Sequence, residues 1–125
     1  MTIRRYTVPV TTAADGTATA YSPYLSGYLN QIIYTKTDYA TGVDFTITAE
    51  ATGETLWTES NVDASTSRMP RGATHSTAGV AALYASGGTA VSDKIALSRD
   101  RVKIALAQGG NAKTGVFQIV VDDGR

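Results

Sequence analysis

Val43-Asp44-Phe45-Thr46-Ile47-Thr48-Ala49-Glu50, then Ala51-Thr52-Gly53-Glu54, then Thr55-Leu56-Trp57-Thr58-Glu59: read in that order, these residues spell out a β-hairpin. Val43, Phe45, Ile47 and Ala49 are apolar and alternate with polar partners. A period of two with one apolar face predicts a strand buried on one side and wet on the other. Gly53 occupies the place where a three-residue hairpin loop needs a residue at positive φ. The stretch decides the fold class because the same pattern recurs along most of the chain.

Upstream, residues 3–10 read as a strand with Tyr6, Val8 and Val10 on one face, and Pro9 marks it as an edge or a strand end. Asp15-Gly16 signals a turn into Thr17-Ala18-Thr19-Ala20-Tyr21. Residues 25–34 place Tyr24, Tyr28, Ile32 and Tyr34 at even positions and Leu25, Leu29 and Ile33 at odd ones. Apolar residues of both parities predict a strand covered on both faces. Downstream, residues 61–79 are small and polar, longer than the ~12–15 residues usual for a structureless loop in a compact domain. Val80-Ala81-Ala82-Leu83-Tyr84 fits either a strand or one helical turn. Ser98-Arg99-Asp100 reads as the turn of a hairpin between residues 95–97 and 102–106. Residues 109–115 read as a last hairpin turn before the strand of Phe117, Ile119 and Val121, and Asp122-Asp123-Gly124-Arg125 as a polar tail. Seven to eight short strands without a long helix predict an all-β, single-domain antiparallel β-sandwich of jelly-roll-like form over residues 1–125, with 61–79 as a long interaction loop.

Charged residues make up 18% of the chain and sum to a net charge of zero, which argues against a nucleic-acid partner held by phosphate neutralisation. A weakly charged surface rich in Thr, Ser, Ala and Gly suits assembly into something larger. With no cysteine, neither a disulfide framework nor thiolate chemistry is expected. No apolar run approaches the ~20 residues of a membrane span, so no membrane partner is expected. Met1-Thr2-Ile3-Arg4-Arg5-Tyr6 has no apolar stretch behind it, so a cytoplasmic start without a signal peptide is expected.

The residues that could carry chemistry have plainer readings. His75 is the single histidine, and without a nucleophile elbow it makes a poor triad base; with no cysteine beside it, zinc is disfavoured too. Lys113-Thr114 inside a glycine-rich stretch lacks the glycine before the lysine and the helix after it that a phosphate loop requires. Asp44, Glu50, Glu54 and Glu59 gather around the central hairpin, where a solvated sheet face explains them better than a glycosidase pair. Asp122-Asp123 lacks the alternating oxygen ligands of a calcium loop. No catalytic residue, cofactor or metal is expected. Seven tyrosines, among them Tyr24, Tyr28 and Tyr39, suit a sugar-stacking groove or, better, core packing or subunit contacts, because a phenol buries its ring while its hydroxyl finds a partner. Arg68, Met69, Pro70 and Arg71 form a stiff stretch of interface-favoured residue types within the long loop, either an ordinary surface loop or an arm ordered against a neighbour.

Taken together, residues 43–55, Met69-Pro70-Arg71, and residues 102–110 with Lys113-Thr114-Gly115 resemble a group of small virion proteins of tailed bacteriophages, found with head genes. The resemblance spans most of the chain, from the early tyrosine-rich strands to Val121. It implies a non-enzymatic capsid decoration (cement) protein on the head exterior, made in the host cytoplasm and bound as a trimer to the major capsid protein lattice. It supplies no site residues. Two other readings stand beside it: a carbohydrate- or receptor-binding module at the virion surface, and a tail or head-completion protein.

Overall fold

The computed structural model describes residues 2–123, so of the expected polar tail only Asp122 and Asp123 fall within it. No helix forms among the described residues. The strands are β1 (Ile3–Thr11), β2 (Ala18–Tyr21), β3 (Leu25–Lys36), β4 (Asp44–Ala49), β5 (Thr55–Glu59), β6 (Thr66–Arg68), β7 (Gly72–Ala73), β8 (Ser92–Asp93), β9 (Ile95–Asp100), β10 (Val102–Ala107) and β11 (Thr114–Asp122). One sheet runs β1-β11-β3-β6, with β9 also on β3, and the other runs β2-β10-β4-β5. Every pairing is antiparallel. Leaving aside the three short or accessory strands β7, β8 and β9, eight strands remain. Their order is first-eighth-third-sixth against second-seventh-fourth-fifth, the winding of a jelly roll.

This winding corrects two turns. β9 pairs with β3 through Asp100 whereas β10 pairs with β2 and β4 from Val102, so the chain passes from one sheet to the other at Arg101 and residues 98–100 make no hairpin turn. Residues 108–113 likewise link β10 to β11 across the sandwich. A turn signal records that the chain reverses; which sheet receives the next strand depends on distant partners. The β4–β5 turn is a hairpin as expected, with Gly53 at φ 75° and its N–H donating to the Ala49 carbonyl at 2.8 Å.

Between the sheets, Phe45 is the hub. Its ring lies 5.3 Å from Tyr34, and it meets Trp57 edge-on at 4.7 Å and Phe117 edge-on at 5.2 Å, the tilted and T-shaped arrangements that aromatic quadrupoles favour. Val43, Ile47, Val102, Ile104, Ile119 and Ile32 complete the buried layer.

The double-faced pattern of β3 has a different origin from coverage on both sides. Gln31 faces Val120 and Leu29 faces Val121, so Asn30 is an extra residue, a β-bulge. One inserted residue flips the parity of the strand. Leu25 and Leu29 therefore point inward before the bulge, and Ile32 and Tyr34 point inward after it. β3 buries one face throughout.

Tyr39 belongs to this core and not, as its place among the interface candidates anticipated, to a surface. It is buried, its ring stacks on Tyr34 at 6.2 Å, and its hydroxyl donates to the Val10 carbonyl at 2.5 Å. The Tyr34 hydroxyl is equally buried and has no hydrogen-bond partner among the described residues. These two phenols make a matched pair of expectations. Tyr39→Phe should lose about 1 kcal/mol, because the Val10 carbonyl forfeits its donor, whereas Tyr34→Phe should leave the melting temperature unchanged or raise it. Burial also pushes the Tyr34 phenol up to about 12 and raises that of Tyr39. Unfolded tyrosines ionise near pH ~10, so above that the unfolded state has released protons that the folded state keeps. Stability should therefore be unaffected by these groups below about pH 10 and fall as pH climbs toward 12, which denaturant titrations at stepped pH would read.

The stretch 61–79 is not one loop. Ser65–Arg68 docks on the sheet, and the true excursion begins at Met69 and returns at Lys94. Arg68 lies opposite Ile32 and Ile95 opposite Leu29, so β6 and β9 are two halves of one strand along the same edge of β3. Only Asn30 and Gln31 lie uncovered between them. Residues 69–94 are thus an arm inserted into a strand, and none of them belongs to the hydrophobic core. Replacing 69–94 by two residues should leave the sandwich folded, with a melting temperature within about 5 °C of the parent, since shortening a loop changes closure entropy only slowly. Loss of cooperative unfolding in that variant would show that the arm is part of the folding unit.

Candidate functional site

The arm is built from three extended segments that close on one another. β7 pairs with β8, His75 bridges Ala81, and Leu83 bridges Ala90. Thr74 N donates to Val91 O, Val91 N donates to Ala82 O, and Ala82 N donates to Thr74 O, each at 2.9 Å. Within these three segments Gly72, Thr74, Ala82, Ala90 and Val91 are the partly buried residues. Turns at residues 76–79 and 85–88 reverse the chain, with Gly79 and Gly87 at positive φ. Residues 80–84 are therefore neither a regular strand nor a helical turn: Ala81 and Leu83 make isolated β-bridges and Tyr84 lies in a bend.

Several larger apolar side chains of the arm are exposed. Val80 is 65% exposed, Tyr84 75%, Met69 at the base 64%, and Leu83 is exposed as well. Single exposed apolar residues are ordinary; four within one segment outside the core are more than that. Arg71 fastens the base: its Nη1 donates to the carbonyl of Asn30, the bulged residue of β3, at 3.1 Å, and to its neighbour Pro70 at 2.7 Å.

Arg68 is engaged within the chain. Its Nε and Nη2 grip the two Glu59 oxygens at 3.1 and 3.0 Å, and its guanidinium lies 5.5 Å from the Trp57 ring centre. Glu59 also accepts from Trp57 Nε1 at 3.0 Å. Because β5 and β6 edge opposite sheets, this group closes one seam of the sandwich. Of the four candidates in this stretch, Met69 is thus the one that presents a large side chain outward, Pro70 is half-buried, and the arginines hold the arm's root.

A second exposed group gathers at the end of the sandwich where β2 leads to β3. Tyr24 is 62% exposed, Tyr21 is exposed beside it, and the Arg101 guanidinium lies 4.0 Å from the Tyr21 ring centre and 5.2 Å from that of Tyr24. Glu50 holds Arg101 through two bonds of 2.9 and 2.5 Å, and that hydrogen bonding keeps its carboxyl below the usual carboxylate range. Tyr28, also exposed, lies apart on the outer face of the other sheet, in the row Ile3-Asp122-Tyr28-Ala96. Sequence reading singled out Tyr24 and missed Tyr21 and Arg101. No local signal joins residues that far apart in the chain.

The remaining candidates have structural partners. Asp44 accepts from Asn61 N and Gln108 Nε2, at 2.9 and 3.0 Å. At the crossing between sheets, Lys113 accepts from the Thr12 N–H through its carbonyl and donates its own N–H to the Thr12 hydroxyl. His75 stands exposed on the arm. A shallow depression of about 180 Å³ between β4 and β10 is lined by Asp44, Phe45, Thr46, Ala105, Leu106 and Ala107.

Comparison of the chain with protein-family models, curated proteins and solved structures found no match. What the fold and these surfaces define is a jelly-roll sandwich bearing a tethered, apolar-tipped arm.

Proposed function

We propose that this protein is a structural subunit of a tailed-bacteriophage virion that decorates the capsid, docking on the major capsid protein lattice through the arm of residues 69–94. The observation that carries the reading is the arm itself. It is rooted by Arg71 on Asn30, exposes Met69, Val80, Leu83 and Tyr84, and contributes no residue to the hydrophobic core. A fold has no internal use for such an element, whereas an apolar tip framed by polar rims is what a protein interface buries. The virion and the capsid lattice come from the resemblance described above, and a trimer agrees with the threefold positions that such a lattice offers. Binding only to the assembled shell would stabilise it by mass action.

The test is co-sedimentation with assembled, undecorated heads. The full chain should pellet in hundreds of copies per head, and light scattering should show an oligomer. The arm-deleted chain, still folded by circular dichroism, should stay in the supernatant. A monomer that never pellets with heads would end this reading, and low copy number on a ring-shaped tail or connector structure would replace it with the head-completion alternative.

A further inference from the structure

We propose that the corner formed by Tyr21, Tyr24, Arg101 and Lys103 binds a saccharide that bears a carboxylate. The site is distinct from the arm and does not depend on the docking reading above. Tyr24 offers an open ring for the C–H face of a sugar, and Arg101, itself fixed by Glu50, holds both phenols in place. Side chains already immobilised lose little entropy when a ligand arrives. The outer face of the sheet continues the surface with polar groups. Tyr21 pairs across the strands with Lys103, Lys103 with Thr48, and Thr48 with Thr55, so these four form one row at strand spacings of ~4.8 Å. The next row on that face is Thr19, Ala105, Thr46 and Thr58, where the hydroxyls of Thr46 and Thr58 lie 3.2 Å apart. An aromatic platform beside a field of hydroxyls is suited to sugar rings, whose faces are apolar and whose edges are hydrogen-bonding.

Charge decides the class of sugar. Arg101 and Lys103 are the cations at the corner, against Glu50 and the buried Asp100. Glu50 is committed to Arg101, and Asp100 accepts from the Ala51 and Arg101 amides. With Asp100 buried, the charged groups left at the surface of the corner are Arg101, Lys103 and Glu50, two cations to one carboxylate. Among the described residues, Arg101 binds Glu50 through Nε and Nη2, and Lys103 feels the Glu50 charge without forming an ion pair within 4 Å. A carboxylate is the group that these donors complement.

The experiment is an amide-resolved NMR titration of the full chain with two matched pairs: sialyllactose against lactose, and a galacturonate oligosaccharide against its neutral galactose counterpart. An acidic member of at least one pair should shift the amides of Tyr21, Ser22, Tyr24, Thr48 and residues 101–103. Its neutral counterpart should bind about tenfold more weakly or not at all. Tyr24→Ala and Lys103→Ala lie outside the core and should each weaken binding about tenfold, while the arm-deleted chain should bind as the parent does. Equal binding of acidic and neutral sugars, shifts located elsewhere, variants that bind like the parent, or no response at millimolar saccharide would each overturn the proposal.

Discussion

Phe45→Ala should lower stability by about 3–5 kcal/mol, enough to shift the melting temperature of a domain this size by on the order of 10–20 °C. Phe45 touches Tyr34, Trp57 and Phe117 at once, so truncation removes the transfer free energy of one ring and three aromatic contacts together. The cavity would lie between two sheets whose spacing is set by other buried residues, among them Ile47, Ile104 and Ile119, which limits collapse. Thr58→Ala, on the outer face of β5, supplies the contrast. It lies in the same sheet yet is exposed, and its change should stay within about 0.5 kcal/mol. Thermal and urea melts of both variants check this. Near-equal melting temperatures would mean that Phe45 is not the centre of the core.

The second large effect is expected at Gly27. It adopts φ 135°, a region L side chains rarely enter, at the start of β3 where the strand shifts register against β9. A Cβ there would fall 2.2 Å from the Asp122 carbonyl oxygen and 2.8 Å from the Asp123 Cα. Both are backbone atoms, which cannot rotate away as a side chain would. Backbone strain of about 1–3 kcal/mol adds to an overpacking term of similar size, so Gly27→Ala should destabilise by on the order of 2–6 kcal/mol. Gly53→Ala isolates the strain from the clash. Gly53 also has positive φ, but a Cβ there meets nothing within 4 Å, so about 1–2 kcal/mol is expected. Should the two alanine variants melt together, the close approach of β11 to Gly27 would be wrong.

Both predictions depend on strands brought together from far apart in the chain, and there the reach of sequence reading can be judged. The strand of residues 3–10 and the hairpin of residues 43–59 were legible because their signals are local: alternation, a proline at an edge, a glycine in a turn. Pro9 does lie on β1, an outer strand of its sheet. The bulge at Asn30 was invisible, since an inserted residue and a doubly buried strand produce the same run of apolar residues at both parities. The candidate surfaces divided in the same way. The Met69-Pro70-Arg71 stretch announced itself by composition, and the arm does begin there. Its exposed apolar residues, Val80, Leu83 and Tyr84, carried a signal that read as an ordinary structural element, because their exposure depends on how the arm folds on itself.

By itself, the amino-acid order determined that this chain makes short antiparallel strands, where many of them begin and end, and that the arm's root is rich in contact-forming side chains. A period of two and a turn-forming glycine act over a few residues and need no partner elsewhere. Only the tertiary structure decided that β1 lies beside β11, that Arg101 and residues 108–113 cross between sheets, that Tyr39 is core, and that Tyr21, Tyr24 and Arg101 share a corner. Those outcomes follow from the competition among all strands to bury one face each and satisfy their backbone bonds, a constraint that acts on the whole chain at once.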